Sequence, residues 1–178
     1  MAPLFHVSEE AGIRLFEPRP SPSPKQSGVD GNAVWAIDED HLANYLLPRD
    51  CPRVTYRATS ATTSEDLNRF FSDPSARRVI AIESRWFPAV SSCRLYAYEM
   101  PPAKFQPSDA AAGYFISREP VSPVGVIEID DAIGAMLARG VELRLVPDLW
   151  ALRDAIIASS VEFSIIRFRN AAPKSASH

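Results

Sequence analysis

Four apolar residues in a row, Val79-Ile80-Ala81-Ile82, set between Arg77-Arg78 and Glu83, constrain this chain more than any other stretch. A run with no polar alternation has no face to give to water. It predicts a central strand buried on both sides, so the fold must cover both faces of that strand.

The other segments are read by their periodicity. Leu4-Phe5-His6-Val7 is a short strand, and Ile13, Leu15 and Phe16 form a second short apolar element. Ala33–Ile37, Val54–Arg57, Leu95–Glu99, Tyr114–Ile116, Val124–Ile129, Leu143–Val146 and Phe163–Phe168 are further strands. Asp38 caps a helix carrying Leu42, Tyr45 and Leu46, which Pro48 ends. Thr62 with Glu65, and Thr63 with Asp66, both fit the capping-box spacing ahead of Leu67, Phe70 and Phe71. Asp130 or Asp131 caps a helix with Ile133, Met136 and Leu137, stopped by Gly140. Asp148 caps the last helix, with Leu149, Leu152, Ile156 and Ile157 at helical spacing. Strands and helices mix without strict β-α-β alternation. That predicts an α+β fold with a mixed, mostly antiparallel sheet.

Length fits one domain over residues 1–170, with a proline-rich surface loop at 18–32 and a frayed tail at 171–178. The stretch Pro18 to Pro24 is expected to stay out of any sheet ladder, because proline lacks the N–H. The loop is long enough to serve as a lid or to be a solvated linker.

A net charge of −3 carries no global basic bias, so strong nucleic-acid binding is not expected. Cys51 and Cys93 lie in no CxxC pair and read as small core residues. The start MAPLFHVSEE lacks a basic and an apolar leader region, and no apolar run approaches the ~20 residues of a membrane helix. The expectation is a cytoplasmic protein with no membrane partner.

Motifs for a phosphate-cradling loop, a nucleophile elbow or paired metal-binding histidines are missing, so no metal is expected. What remains is His6 at a strand end with Ser8 two residues on. Together they offer donors and acceptors for a ribose or a phosphate, although a histidine bonded to backbone reads equally from the residues. Arg167 and Arg169, with Arg144 and Arg153, form either a small anion-binding patch or a solvated basic face.

Leu4-Phe5-His6-Val7-Ser8 resembles the His-Gly-Thr strand of the ADP-ribosyltransferase-like superfamily, within which the chain is most similar to the rifampin ADP-ribosyltransferases and the RNA 2′-phosphotransferases. Val34-Trp35-Ala36-Ile37 resembles their second strand, and Leu95 to Pro101 with Phe105 and Asp109 resembles their acidic-loop segment. Tyr114 to Val121, containing Arg118-Glu119-Pro120 and followed by Val124-Gly125-Val126, resembles a closing strand. The patterns FHVSEE, FEPRP, VWAIDE, PRDCPRVTY and GYFIS are also similar to a bacterial family known only as a domain of unknown function.

The superfamily resemblance implies a sheet of the ADP-ribosyltransferase type that binds NAD, as substrate, or a related small-molecule nucleotide. It implies transfer of ADP-ribose to an unknown acceptor, or NAD hydrolysis, through displacement at the ribose carbon that carries nicotinamide. His6 would anchor the ribose and Ser8 would hold a ribose hydroxyl. Trp35 would wall the nicotinamide, and Asp109 or Glu119 would stabilise developing positive charge. Arg19, Arg49 or Arg53 would meet the pyrophosphate. Val7 replaces the usual glycine and Trp35 the usual tyrosine, which weakens the case for catalysis more than the case for the fold. Nucleotide or RNA-end processing on the same fold, and a degenerate ligand- or partner-binding domain, are the other readings.

Overall fold

The computed structural model describes residues 2–21, 29–73, 75–109 and 112–174. The chain forms two compact units, each assembled from two separate stretches of sequence. Residues 1–45 and 94–130 make the first, and residues 46–93 and 131–178 the second.

The first unit is a seven-stranded sheet. Its strands are β1 (Leu4–Ser8), β2 (Arg19–Pro20), β3 (Asn32–Asp38), β6 (Leu95–Met100), β7 (Gln106–Asp109), β8 (Tyr114–Ser117) and β9 (Gly125–Ile129). The order is β7-β8-β3-β1-β6-β9, every neighbour is antiparallel, and β2 pairs with one end of β3. Opposite pairs such as Leu4 with Met100 and His6 with Tyr98 put their side chains on one face. Leu4, Val34, Ala36, Tyr98 and Met100 from that face close over Phe16, Phe105 and Val121 as the unit's core. Phe16 and Val121 exchange both backbone hydrogen bonds, at 2.8 and 3.0 Å, which ties the segment after β1 down onto the core.

The second unit has the four-stranded order β10-β5-β4-β11, from β4 (Arg53–Arg57), β5 (Arg78–Glu83), β10 (Val141–Val146) and β11 (Glu162–Ile166). Among the described residues of this unit, only β5 with β10 is parallel. All six residues of β5 are buried, as the uninterrupted apolar run requires. Full burial of each Val or Ile contributes about 1.5–3 kcal/mol, so this strand anchors the unit. The core joins Val54, Tyr56, Val79 and Ala81 to Phe70, Leu149 and Ile156.

Helices are short: Ser64–Phe70, Phe87–Ser92, Ala132–Leu137 and Trp150–Ile157. Thr63 is the cap of the first, its hydroxyl accepting from the Asp66 N–H at 3.2 Å, and Asp131 is the cap of the third. Among the described residues no helix is long and apolar enough to cross a membrane. The arrangement is α+β with mostly antiparallel sheets.

Several expectations are corrected. Arg19–Pro20 does enter a ladder, opposite Ala33 and Asn32, because a two-residue edge strand has a side where a missing N–H is tolerated. Residues 22–28 of the proline-rich loop lie outside the described residues. After Asp38 the chain winds into a 3-10 helix, Glu39–Tyr45, in place of the expected α-helix. Leu67, Leu137 and Ile157 are exposed, because helices of six to eight residues bury only a narrow stripe. The tail is held at residues 171–174. The Ala172 N–H donates to Glu83 at 2.8 Å, and the Ala172 carbonyl accepts from Trp150 Nε1 at 2.7 Å. Residues 175–178 lie outside the described part.

Candidate functional site

His6 sits where the β1–β3 ladder stops. That ladder pairs Leu4 with Asp38 and Phe5 with Ile37. One residue later the His6 ring reaches across, Nδ1 donating to the Trp35 carbonyl at 2.7 Å. The donation fixes the proton on Nδ1 and, in the neutral ring, leaves the lone pair on Nε2. Phe16 packs on the ring with centroids 4.7 Å apart, and Tyr98 packs on Phe16 at 5.2 Å. Ser8 lies on the same face, its oxygen accepting from the Glu10 N–H at 3.1 Å while its own proton stays available to donate.

Trp35 does not share that face. Its neighbours Val34 and Ala36 point into the core with Tyr98, so the indole points the other way, edge-on to Tyr114 at 5.8 Å. The Tyr114 and Tyr45 hydroxyls are 2.5 Å apart. The indole Nε1 is buried with no hydrogen-bond partner among the described residues. His6 therefore meets the backbone of Trp35, and its ring lies across the sheet from the indole.

The two expected carboxylates stand apart from β1. Asp109 ends β7, three strands from β1, and accepts from the Ala112 N–H at 3.1 Å, a turn contact. Glu119 follows β8, is 75% exposed and lies 3.7 Å from Lys104. Arg19 is exposed on β2 opposite Ala33, two positions along β3 from the carbonyl that His6 grips. Arg49 and Arg53 belong to the second unit. Arg49 is exposed, whereas Arg53 is buried and donates to the Cys51 carbonyl at 2.7 Å and the Pro48 carbonyl at 3.4 Å. Of the expected basic patch, Arg144 binds Glu142 and the Phe70 carbonyl, while Arg153 binds Asp154 and lies over Phe168. Each of these two guanidiniums already has an anion or carbonyl partner.

Two features escaped the sequence reading. Asp38, read only as a cap, holds His41 twice: its Oδ1 accepts from the backbone N–H at 2.9 Å and from Nδ1 at 2.7 Å. Gly113 presses on this pair. It has φ +70°, and a Cβ there would stand 2.3 Å from His41 Nδ1. The Asp-x-x-His spacing was the only signal, and it is indistinguishable from an ordinary cap.

The second feature is an open groove of about 620 Å³ on the His6–Tyr98 face of the sheet. Its floor is Tyr96 and Tyr98, one wall is Gly12 to Arg14, and the other is Pro123 to Val126 with Glu128. The Tyr98 hydroxyl shapes the first wall, donating to the Glu10 carbonyl at 2.8 Å and accepting from the Ile13 N–H at 3.1 Å. Glu128 pairs with Arg94 at 3.5 Å. Among the described residues Arg14 has no ion-pair or hydrogen-bond partner.

A protein-family model described as a family of unknown function matches residues 5–171, nearly the whole chain. No curated protein matches. No solved structure matches either.

Proposed function

This chain belongs to DUF6886, a family of unknown function, and from that starting point we propose that its first unit binds a nucleotide, NAD or a relative, beside His6 without turning it over. The ADP-ribosyltransferase-like resemblance supplies the ligand, without the catalytic role of Asp109 or Glu119. The observation that carries it is the His6–Trp35 hydrogen bond. A ring held by its Nδ1 has a fixed orientation beside Ser8, whose proton two residues away can donate to a ribose hydroxyl. Arg19, paired with Ala33, stands on the Trp35 face of β3, away from the His6 ring.

Turnover needs a carboxylate facing the ribose carbon as positive charge develops. Asp109 is occupied in a turn and Glu119 is solvated, both two or more strands away from β1. The indole of Trp35 lies on the wrong face to stack nicotinamide against the His6 side. RNA-end processing is the weaker reading, because Arg53 spends its guanidinium on buried carbonyls.

The test is a thermal shift series with NAD, ADP-ribose, AMP and nicotinamide on wild type, His6→Ala and Ser8→Ala, alongside chromatography for released nicotinamide. Ligand at 100 times its Kd stabilises by about 2.7 kcal/mol. For a chain of this size that is a rise of several degrees, at roughly 2–4 °C per kcal/mol. The expected result is a rise with NAD, smaller in Ser8→Ala and lost in a still-folded His6→Ala, with no nicotinamide set free. Silence toward every nucleotide would sink the reading. Nicotinamide release that depends on His6 would restore catalysis.

A further inference from the structure

The first unit's sheet ends at β9, and among the described residues β9 pairs only with β6. Half of its backbone N–H and C=O groups therefore face outward with no strand to take them. Edge strands of stable proteins carry lysine, proline or a bulge to repel new strands. This one is Gly125-Val126-Ile127-Glu128-Ile129, with Val126 and Ile127 exposed by half and Val124 just before them by 65%. The tyrosine-floored groove lies along the same strand, and the exposed Arg14 stands in its far wall.

We propose that the outer edge of β9 takes up an extended peptide strand, with apolar residues at alternating positions and one carboxylate placed to meet Arg14. Strand addition supplies the missing ladder, and alternate side chains give specificity. One set of alternate side chains stands beside Val126 and Glu128 at the rim of the groove, while the other covers Ile127. The carboxylate follows from charge. Glu128 is already matched by Arg94, whereas Arg14 has no partner among the described residues.

A second copy of the chain fits this edge poorly. A two-fold pairing of β9 with itself centred on Ile127 sets Glu128 opposite Val126. Centred on Val126, it sets Glu128 opposite Val124, and centred on Glu128 it sets two carboxylates face to face. Each of these registers puts a carboxylate against an apolar side chain or another carboxylate.

A displayed library of random 12-residue peptides, selected on the full chain and depleted on Val126→Lys, tests this directly. Val126 is exposed, so the variant folds, as circular dichroism will verify. The enriched peptides should alternate apolar residues and carry an acidic residue or a free C-terminus on the groove-facing side. A synthetic copy of the strongest should bind at least tenfold more weakly to Arg14→Glu, and tenfold more weakly when its alternate amides are N-methylated. No enrichment over Val126→Lys would overturn the proposal, as would indifference to Arg14→Glu. Light scattering that finds a dimer dispersed by Val126→Lys would also overturn it, assigning the edge to self-pairing.

Discussion

Single atoms decide the chemistry that the residues around β1 can offer. His6 had two readings from sequence, a ligand anchor or a backbone-bonded structural group, and its hydrogen bond to Trp35 serves both, because the same bond that orients the ring defines which nitrogen accepts. Gly113 is a sharper case. Its positive φ, with the His41 ring and Asp38 carboxylate crowding the place a Cβ would take, leaves no room for a side chain. Gly113→Ala should destabilise by about 1–3 kcal/mol, from backbone strain and overpacking together, read as a lowered urea midpoint with unchanged m. The cysteines separate cleanly too. Burial pushes the Cys51 thiol from its ordinary 9.0 up to about 12, with the nearby Arg53 pulling the other way. In the native protein at pH 8, iodoacetamide should therefore label the half-buried Cys93 and spare Cys51, and both should react in urea, as mass spectrometry will resolve.

Elements differ in how far their sequences announce them. Strand β5 has no alternative: its apolar run is legible without partners, and Ile80→Ala should cost about 2–5 kcal/mol by calorimetry or urea melts. Strand β7 is the opposite. Gln106-Pro107-Ser108-Asp109 has no apolar period and forms a strand only because β8 lends it a ladder. The helix Phe87–Ser92 was equally hidden, since Trp86 at its cap supplies no side-chain hydrogen bond. The site was half legible for the same reason. His6 and Ser8 could be assigned to one strand face from spacing alone. That Trp35 turns away from them depends on the register of β3 against β1 and β8, which no local pattern encodes. The segment after β11 is also set by long-range contact. Removing residues 171–178 deletes the donor to Glu83 and the acceptor for Trp150 Nε1. Such a truncation should lower the Tm and red-shift Trp150 fluorescence.

For the whole molecule, alkaline pH is the informative axis. Burial raises Tyr56 from 10.0 to about 12, as it does Cys51 from 9.0. Groups whose folded pKa lies above the unfolded value hold their protons more tightly in the native state, so their contribution is full below about pH 9 and is lost as pH climbs toward 12. Urea unfolding followed against pH should show a flat neutral region and then a decline over that window. The paired variant Cys51→Ala with Tyr56→Phe should make the decline shallower.

The order of chain stretches has a consequence for biosynthesis. The first unit needs β6 beside β1 and β9 beside β6, yet residues 46–93 of the second unit are made in between. As the polypeptide leaves the ribosome, β1 waits for β6, about ninety residues downstream. The buried run of β5 likewise appears long before its parallel neighbour β10. Both sheets stay unfinished through most of translation, with apolar strands bare on a growing chain. Nascent-chain arrest after residue 93 should therefore yield a species bound by a holdase chaperone, and arrest well past residue 166, with the full chain outside the exit tunnel, one that is released.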